Sequence, residues 1–524
     1  MNKVNRVILC IIDDVRVSQF FELMNKGMLP NCKNLIESGM FSKNCVTDFP
    51  SVTYPTQVST ITGTYTGDYT KEPCHGIPLY NWMGRNYTRP ILRNYGSKDL
   101  QIYRMNEDLG QNCQTICEMI EEGNKTSITQ YINRGVDYFF PDNKRKLILF
   151  YLLINYYRNV RTIIKYANSL VVHKLLDNFK NPKYYFNTNE PPICSLIWFM
   201  SSDVLMHIYG NESKLYKLNL LHIDKVIGEL LDGLEGLGYL DDTAIAITAD
   251  HGNYKANKVG NLNSFLNSMR LKNYHPRKNQ GGNINVAEFG GVGFFNFKGN
   301  TSSSSNNIWP HPSIKELKQY GPKNVNLLKE LFKIEGTRLM YYPKKSNSIE
   351  RGQILLKRKI DSGEFICGRL EYRGSGLDLK TRYITGEGEK DVFGYYQDGT
   401  ASRLIDGKFH SIEQWLQGTH HLDFPLYPDL LCRHFKNPRS ADIILSTEGN
   451  VTFNIEHGKK KNDLIYKHDI GARKSSIVPL IIGGSNEVPQ KKIEYCKITD
   501  IVPTLLDMLG KNPHHSVIGE SLLI

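Results

Sequence analysis

A few short segments of this 524-residue sequence carry the side chains of metal and phosphate chemistry. In Ser201-Ser202-Asp203-Val204-Leu205-Met206-His207, a carboxylate and an imidazole stand four residues apart. On a helix that spacing puts both on one face, and the two groups are an ordinary pair of zinc ligands. The pattern alone is common, and a capping Asp followed by a surface His would produce it as readily. Asp250-His251-Gly252 directly follows an apolar run. Adjacent side chains on extended backbone point to opposite sides. Asp250 and His251 can therefore serve two different ions, or bracket one if the chain turns at Gly252. Asp13 and Asp14 close the first apolar run, and one of them is expected to face the site. His468 and its rival His457 are further imidazoles, each no more than a surface histidine when read alone. The stretch Pro50 to Gly63 is rich in hydroxyls, Thr53 among them. A threonine hydroxyl becomes a nucleophile when coordination to a metal ion lowers its pKa; a helix-capping threonine cluster is the structural alternative.

Something must hold these groups, and the runs that precede them are strand-like. Val7–Ile12, Ile193–Met200 and Ala244–Ala249 are continuous apolar stretches rich in β-branched residues, each leading into an aspartate. Such runs suit buried parallel strands, and in open α/β sheets ligands bind beyond the carboxyl ends of the strands. Ile477–Ile482, followed by Gly483-Gly484, reads as a fourth strand. Leu215–Leu234 has helical spacing, and Ile498–Gly510 reads as a helix closed by glycine, with Pro503 in its first turn. Strand alternating with helix predicts an α/β fold with a mostly parallel sheet.

Composition bounds the alternatives. Hydrophobic residues make up 40% and charged residues 23% of the chain, ordinary for a globular protein with a sizeable core. The net charge of +12 favours anionic partners such as phosphate esters or acidic surfaces. No RNP-type motif, zinc knuckle or helix-turn-helix signature is present, so no specific nucleic-acid partner is expected. Ten scattered cysteines form no CxxC pair and read as reduced thiols. The apolar run Val7–Ile12 is shorter than a secretory core, and no apolar stretch is long enough to span a bilayer. The expectation is a cytoplasmic protein with a single catalytic domain over 1–524 and insertions at about 141–190 and 254–440. The first insertion is basic and aromatic. Its part from 144 to 180 suits a membrane-surface contact, a lid, or a helix pair packed on the core. Within the second, Thr301–Ile308 reads as a flexible loop.

Taken in order, these segments resemble the alkaline phosphatase superfamily, closest to its nucleotide pyrophosphatase/phosphodiesterase branch. VILCIIDDVR resembles the first strand with its metal aspartate, which puts that role on Asp13. Leu29 to Ser42 resembles the LPN segment, and SVTYPTQVSTITG the nucleophile segment, which puts that role on Thr53. SSDVLMHIYG and ITADHGN resemble the two ligand pairs. KHDIGARKSSIVPLIIGG resembles the segment of the last imidazole and favours His468 over His457. ITDIVPTLLDMLG with IGESLL resembles the family's ending.

The resemblance implies an alkaline-phosphatase-like fold with inserted cap segments and two divalent ions, of which zinc suits the mixed ligands. One ion would take Asp203, His207 and His468, the other Asp13, Asp250 and His251, with Thr53 as hydroxyl ligand. The ions would lie about 4 Å apart and flank an in-line displacement at phosphorus. Thr53 would form a phospho-threonine that water then hydrolyses, on a small-molecule phosphodiester or pyrophosphate. A phosphomonoesterase with the same ions is the second reading, and an inactive phosphate-ester-binding protein the third.

Five positions depart from the family pattern. Thr56-Gln57 stand where Asn-His is usual, and Asp469 where a glycine is usual. Asn81, the candidate phosphate ligand, falls one residue late. Arg134 stands without the lysine of a dianion-binding pair, which tilts the reading toward diesters.

Overall fold

A computed structural model describes residues 3–524 apart from 86–89, 98–99, 144, 147, 149–159, 276–278, 289, 301–308, 345–347, 387–389 and 454–464. His457, the serine-rich stretch 301–308 and much of the basic segment from 144 to 159 therefore lie outside the described residues.

Strand Arg6–Ile12 lies inside a nine-stranded sheet, buried along nearly its whole length. It pairs in parallel with Cys194–Phe199 on one side and Thr243–Ala249 on the other. In this register Ile12 stands opposite both Phe199 and Ala249. All three strands therefore end level, and the aspartates that follow them emerge side by side. Lys125–Ile128 and Tyr138–Phe140 extend the parallel set. The fourth strand, Ile477–Gly484, runs antiparallel to Thr243–Ala249 and is itself flanked by antiparallel Met40–Val46. The chain thus adopts the α/β architecture expected of it, a mostly parallel sheet flanked by helices.

The helices form where the spacing placed them. Lys214–Gly236 is capped by Ser213, whose hydroxyl accepts the Tyr216 N–H. Its buried Asp224 accepts the N–H groups of Asn31 and Cys32, pinning helix Pro30–Ser38. Helix Val160–Lys180 buries Ile164, Val171, Val172, Leu175 and Phe179. It packs on Lys214–Gly236 and on strand Cys194–Phe199, so this part of the first insertion covers the sheet. Among the described residues no helix is long and apolar enough to cross a membrane. All ten cysteines are free thiols, and only Cys367 is exposed.

The stretch 254–440, together with Ile443–Ser446 just beyond it, forms a sheet that its Gly-, Asn- and Lys-rich composition did not reveal. Seven antiparallel strands run in the order Ile284–Glu288, Val292–Phe297, Ile443–Ser446, Leu339–Pro343, Arg351–Lys359, Phe365–Arg373 and Lys380–Thr385. One face joins the main core through Phe294, Tyr341, Leu356 and Tyr383. The other builds a separate cluster around Phe295, Phe297, Met340 and Leu445. The hairpin Asn81–Gly84/Ile91–Asn94 is tied to this sheet by Arg85. Its guanidinium donates to Asp442 at 2.7 Å and to Asn296 at 2.6 Å, all three buried. Burial works against the Asp442 carboxylate, yet Arg85 and His311 hold it below the usual range. Replacing Arg85 by methionine should leave that charge poorly compensated and cost about 3 kcal/mol. Urea unfolding should show a lower midpoint at an unchanged m-value.

Candidate active site

Thr53 opens the helix Thr53–Thr62, after Val52 in extended conformation. A first-turn position leaves backbone N–H groups without intrahelical partners and places the positive end of the helix dipole beside the side chain. Thr53 is buried, and its Oγ1 lies 3.2 Å from Nε2 of His251. Nε2 of His251 is also 3.3 Å from Oδ1 of Asp13. Of the two acids ending the first strand, Asp13 therefore faces the threonine. Asp14 turns away at a φ of 62° and is held by the Asn253 amide at 2.8 and 3.0 Å. Burial pushes the Asp14 carboxyl up to about 6.

Helix Ser201–Tyr209 presents Asp203 and His207 on one face, with 3.2 Å between Oδ1 and Nε2. His468 comes from the loop before the antiparallel strand, and its Nε2 is 3.8 Å from the same Asp203 oxygen. Its ring stacks on His251 with centroids 3.8 Å apart. Both rings have fixed orientations. Nδ1 of His468 faces the Ser51 carbonyl at 3.1 Å, and Nδ1 of His251 faces the Gly252 carbonyl at 3.2 Å. A proton on each Nδ1 leaves each Nε2 as a lone pair aimed into the site, the arrangement that orients metal-binding histidines. Gly252 is required here, because a Cβ would lie 2.9 Å from the Lys474 carbonyl oxygen.

Two overlapping groups of donors result. Asp203, His207 and His468 form one, and Asp13, Asp203 and His251 the other, with ligand atoms within 4.8 Å of one another in each. Asp250 stands a step behind. Its Oδ2 accepts from the Gln57 amide at 2.7 Å, its Oδ1 from the N–H groups of Asp14 and His251, and Oδ1 is 3.7 Å from Nε2 of His251. Among the described residues, Oδ1 of Asp13 and Oδ1 of Asp203 are buried without a hydrogen-bond partner, a state that ordinarily signals a missing ion or water. The donor set, carboxylate with imidazole, fits divalent cations such as zinc.

The electrostatics agree. Burial, then the charges of Asp250 and Asp203, push Asp13 well above the usual carboxylate range. Burial also raises Asp250. Burial opposes a charged His251, but Asp250, Asp13 and Asp14 outweigh it and raise its pKa well above normal. Burial and the neighbouring His251 hold His468 well below the usual range. For Asp203, burial is outweighed by His207, His468 and His251, which keep its carboxyl low. This is an excess of negative charge that positive charge would relieve.

The other expected residues fall as follows. Asn81 begins the hairpin strand Asn81–Gly84, and its Oδ1 has no hydrogen-bond partner among the described residues. The preceding Tyr80 stacks on Tyr54 at 5.0 Å, which puts the hairpin next to helix Thr53–Thr62. Arg134 is committed elsewhere, to Glu118 and to the carbonyls of Gly110 and Cys113. The departures noted in the sequence acquire physical meaning. Gln57 bridges Asp250 and Gln130, accepting from the latter at 2.9 Å. Asp469 accepts from the Tyr254 hydroxyl at 2.6 Å and from the Val292 N–H at 2.8 Å, fastening the His468 loop to the second sheet. Ser51 also fastens it, donating to the His468 carbonyl at 2.5 Å. The sequence held these residues but gave no sign of their partners.

The family model of type I phosphodiesterase / nucleotide pyrophosphatase matches residues 7–291, more than half of the chain and all of the site residues except His468. The chain belongs to this family. A human bis(5'-adenosyl)-triphosphatase, ENPP4, is 24% identical over 225 residues, 43% of either chain. The Pongo abelii protein of the same name is 22% identical over 233 residues, 44% of either chain. The match thus spans less than half the length of these curated relatives. Murine ectonucleotide pyrophosphatase / phosphodiesterase 5 superposes with a TM-score of 0.53 at 12% identity, over 97% of this chain and 96% of its own. The human protein gives 0.54 at 14% identity, over 97% and 95%. An inactive threonine-to-alanine form of the murine protein, in complex with AMP, gives 0.54 at 12% identity, over 98% and 96%. At such identities the likeness speaks for the fold, which this chain shares with phosphodiesterase/nucleotide pyrophosphatase structures.

Gln57 offers a direct test of how the type I phosphodiesterase family site is supported here. Gln57→Ala removes the donor to Asp250 Oδ2. Loss of such an outer contact should weaken metal binding about 10- to 100-fold. A zinc titration of the metal-stripped protein by isothermal calorimetry would show it; an unchanged affinity would separate Asp250 from ion binding.

Proposed function

We propose that this chain is a metal-dependent phosphodiesterase or nucleotide pyrophosphatase that works through a phospho-threonine on Thr53. The observation that carries the reading is the position of Thr53. Its hydroxyl lies at the first turn of a buried helix, 3.2 Å from His251 Nε2 and beside two overlapping carboxylate–imidazole groups. Family membership supports the same class of reaction, and the AMP complex of the murine neighbour supports a phosphate ester as ligand.

Asp203, His207 and His468 would hold one divalent ion and Asp13, Asp250 and His251 the other. Bound there, a pair of ions supplies positive charge to the entering and leaving oxygens of a phosphoryl displacement. Thr53 supplies the nucleophile. Its Oγ1 gives up its proton to solvent and bonds to phosphorus as the bond to the leaving oxygen breaks, and that oxygen departs protonated; water then adds to phosphorus, the Oγ1–phosphorus bond breaks, and the hydroxyl is restored as the phosphate product leaves. The start of its helix, where Pro55 has no N–H and the Thr56 N–H donates to Val52, would present the positive end of the helix dipole to the equatorial phosphoryl oxygens, where negative charge builds up. Asn81, the residue after the stacked Tyr80, would add a side-chain amide to that set. His468 and His251, oriented by the carbonyls of Ser51 and Gly252, keep the site rigid through the cycle.

A diester is favoured over a monoester because Arg134, the candidate for binding a phosphate dianion, is already engaged with Glu118 and two carbonyls. The zinc-loaded protein should hydrolyse bis-p-nitrophenyl phosphate faster than p-nitrophenyl phosphate. Thr53→Ala should reduce both rates to the buffer background while the protein still binds zinc. Full activity of that variant would remove Thr53 from the mechanism, and a preference for the monoester would replace the diester reading. No turnover of either ester by the loaded wild-type protein would leave a binding protein.

A further inference from the structure

The outer face of strands Arg351–Lys359, Phe365–Arg373 and Lys380–Thr385 lies outside the proposed site. Ile354, Leu356, Leu370, Tyr372 and Tyr383 turn inward and are buried. Strand alternation sends their neighbours outward. In the observed register Arg351 stands opposite Arg373, and Arg373 opposite Lys380. Three exposed cations thus lie in one row across three strands, about 4.8 Å from strand to strand. Like charges directly opposite each other destabilise a sheet. Among the described residues none of the three has a carboxylate within 4.0 Å.

Lys357, Lys359, Arg369 and Arg382 extend the charge over the same face. The single strand acid there, Glu371, is taken up by Arg369 and Arg382. Apolar side chains are interspersed. Leu355 and Ile384 flank Arg369 in the register, Phe365 is 40% exposed, and Leu377 at the rim is 59% exposed. The aromatic rings are already covered. Phe409 lies under the guanidinium groups of Arg373 and Arg382 at 4.4 and 4.6 Å, and Phe365 under the Lys357 ammonium at 4.1 Å.

We propose that this face docks on an anionic membrane surface. Seven cations on this face of the three strands, against Glu371 among them and Glu350, Asp361, Glu364 and Asp378 at their ends, leave a net positive face that fits a field of lipid phosphates and carboxylates. The exposed Leu377 fits the boundary between headgroups and acyl chains, where a nucleic-acid backbone offers it no apolar partner. Covered rings also remove the stacking platform on which single-stranded nucleic acid would rest. The surface is distinct from the basic segment 144–180, whose helix Val160–Lys180 spends its apolar side on the core.

Co-sedimentation of the full chain with phosphatidylcholine vesicles, with and without about one-third phosphatidylserine, tests this. Binding should occur on the anionic vesicles alone and fall as salt rises. Lys380→Gln should weaken it about fivefold and the triple variant Arg351→Gln/Arg373→Gln/Lys380→Gln about a hundredfold, as expected for additive point charges near an anionic surface. Circular dichroism and unchanged hydrolysis of bis-p-nitrophenyl phosphate would show that the variants are folded. Equal binding to neutral vesicles, full binding by both variants, or tighter retention on duplex DNA than on vesicles would each overturn the proposal. Because sedimentation does not depend on turnover, its outcome stands apart from that of the catalytic assay.

Discussion

Burying several carboxylates side by side is costly, since each charge loses its hydration and repels the next. Asp13, Asp14 and Asp250 are buried together, with Asp203 at their edge. Much of the surrounding architecture answers that cost. His251 sits among Asp13, Asp14 and Asp250, the Asn253 amide clamps Asp14, and Gln57 with two backbone N–H groups satisfies Asp250. What is left over among the described residues, an unpartnered oxygen on Asp13 and another on Asp203, lies among the ring nitrogens of His251, His207 and His468. Strain is stored where the acids must turn: Asp14, a non-glycine residue, adopts a left-handed backbone to direct its carboxylate to Asn253.

The parallel register makes this convergence possible. Because Ile12, Phe199 and Ala249 are direct neighbours across three strands, the residues that follow them meet without long loops. The antiparallel strand Ile477–Gly484 enters from the opposite direction, so its preceding loop, with His468, arrives at the same edge. Helix Thr53–Thr62 is then set against the site from the side. Behind it, Ser59 donates to Asp48 at 2.6 Å and faces Nε2 of His75 at 3.0 Å, a buried polar contact that fixes the helix from its far face.

The second sheet does more than decorate the first. Through Asp469 and Tyr254 it grips the loop carrying His468, and through Arg85 and Asp442 it grips the hairpin carrying Asn81. Both contacts run from charged groups to backbone or to a buried counter-ion, so they are directional as well as attractive. The site is therefore framed by two layers of structure, one supplying most of the donors and the other holding two of the loops in place.

The sequence by itself determined the local facts. Continuous β-branched runs made the three central strands legible, because strands buried on both faces tolerate no polar alternation. The spacing of Asp203 and His207 placed both on one helical face, and Asp250-His251-Gly252 marked a strand end. Tertiary structure alone decided the relations between distant residues. It chose Asp13 over Asp14 to face Thr53, set Asp203 between both donor groups, and gave Gln57 and Asp469 their partners. It also formed a seven-stranded sheet largely from a stretch whose Gly, Asn and Lys content conceals its strands, two of which alternate apolar with charged residues. Periodicity records which face of an element is buried. It does not record which other element, hundreds of residues away, will cover that face, because packing and long-range hydrogen bonds settle that choice.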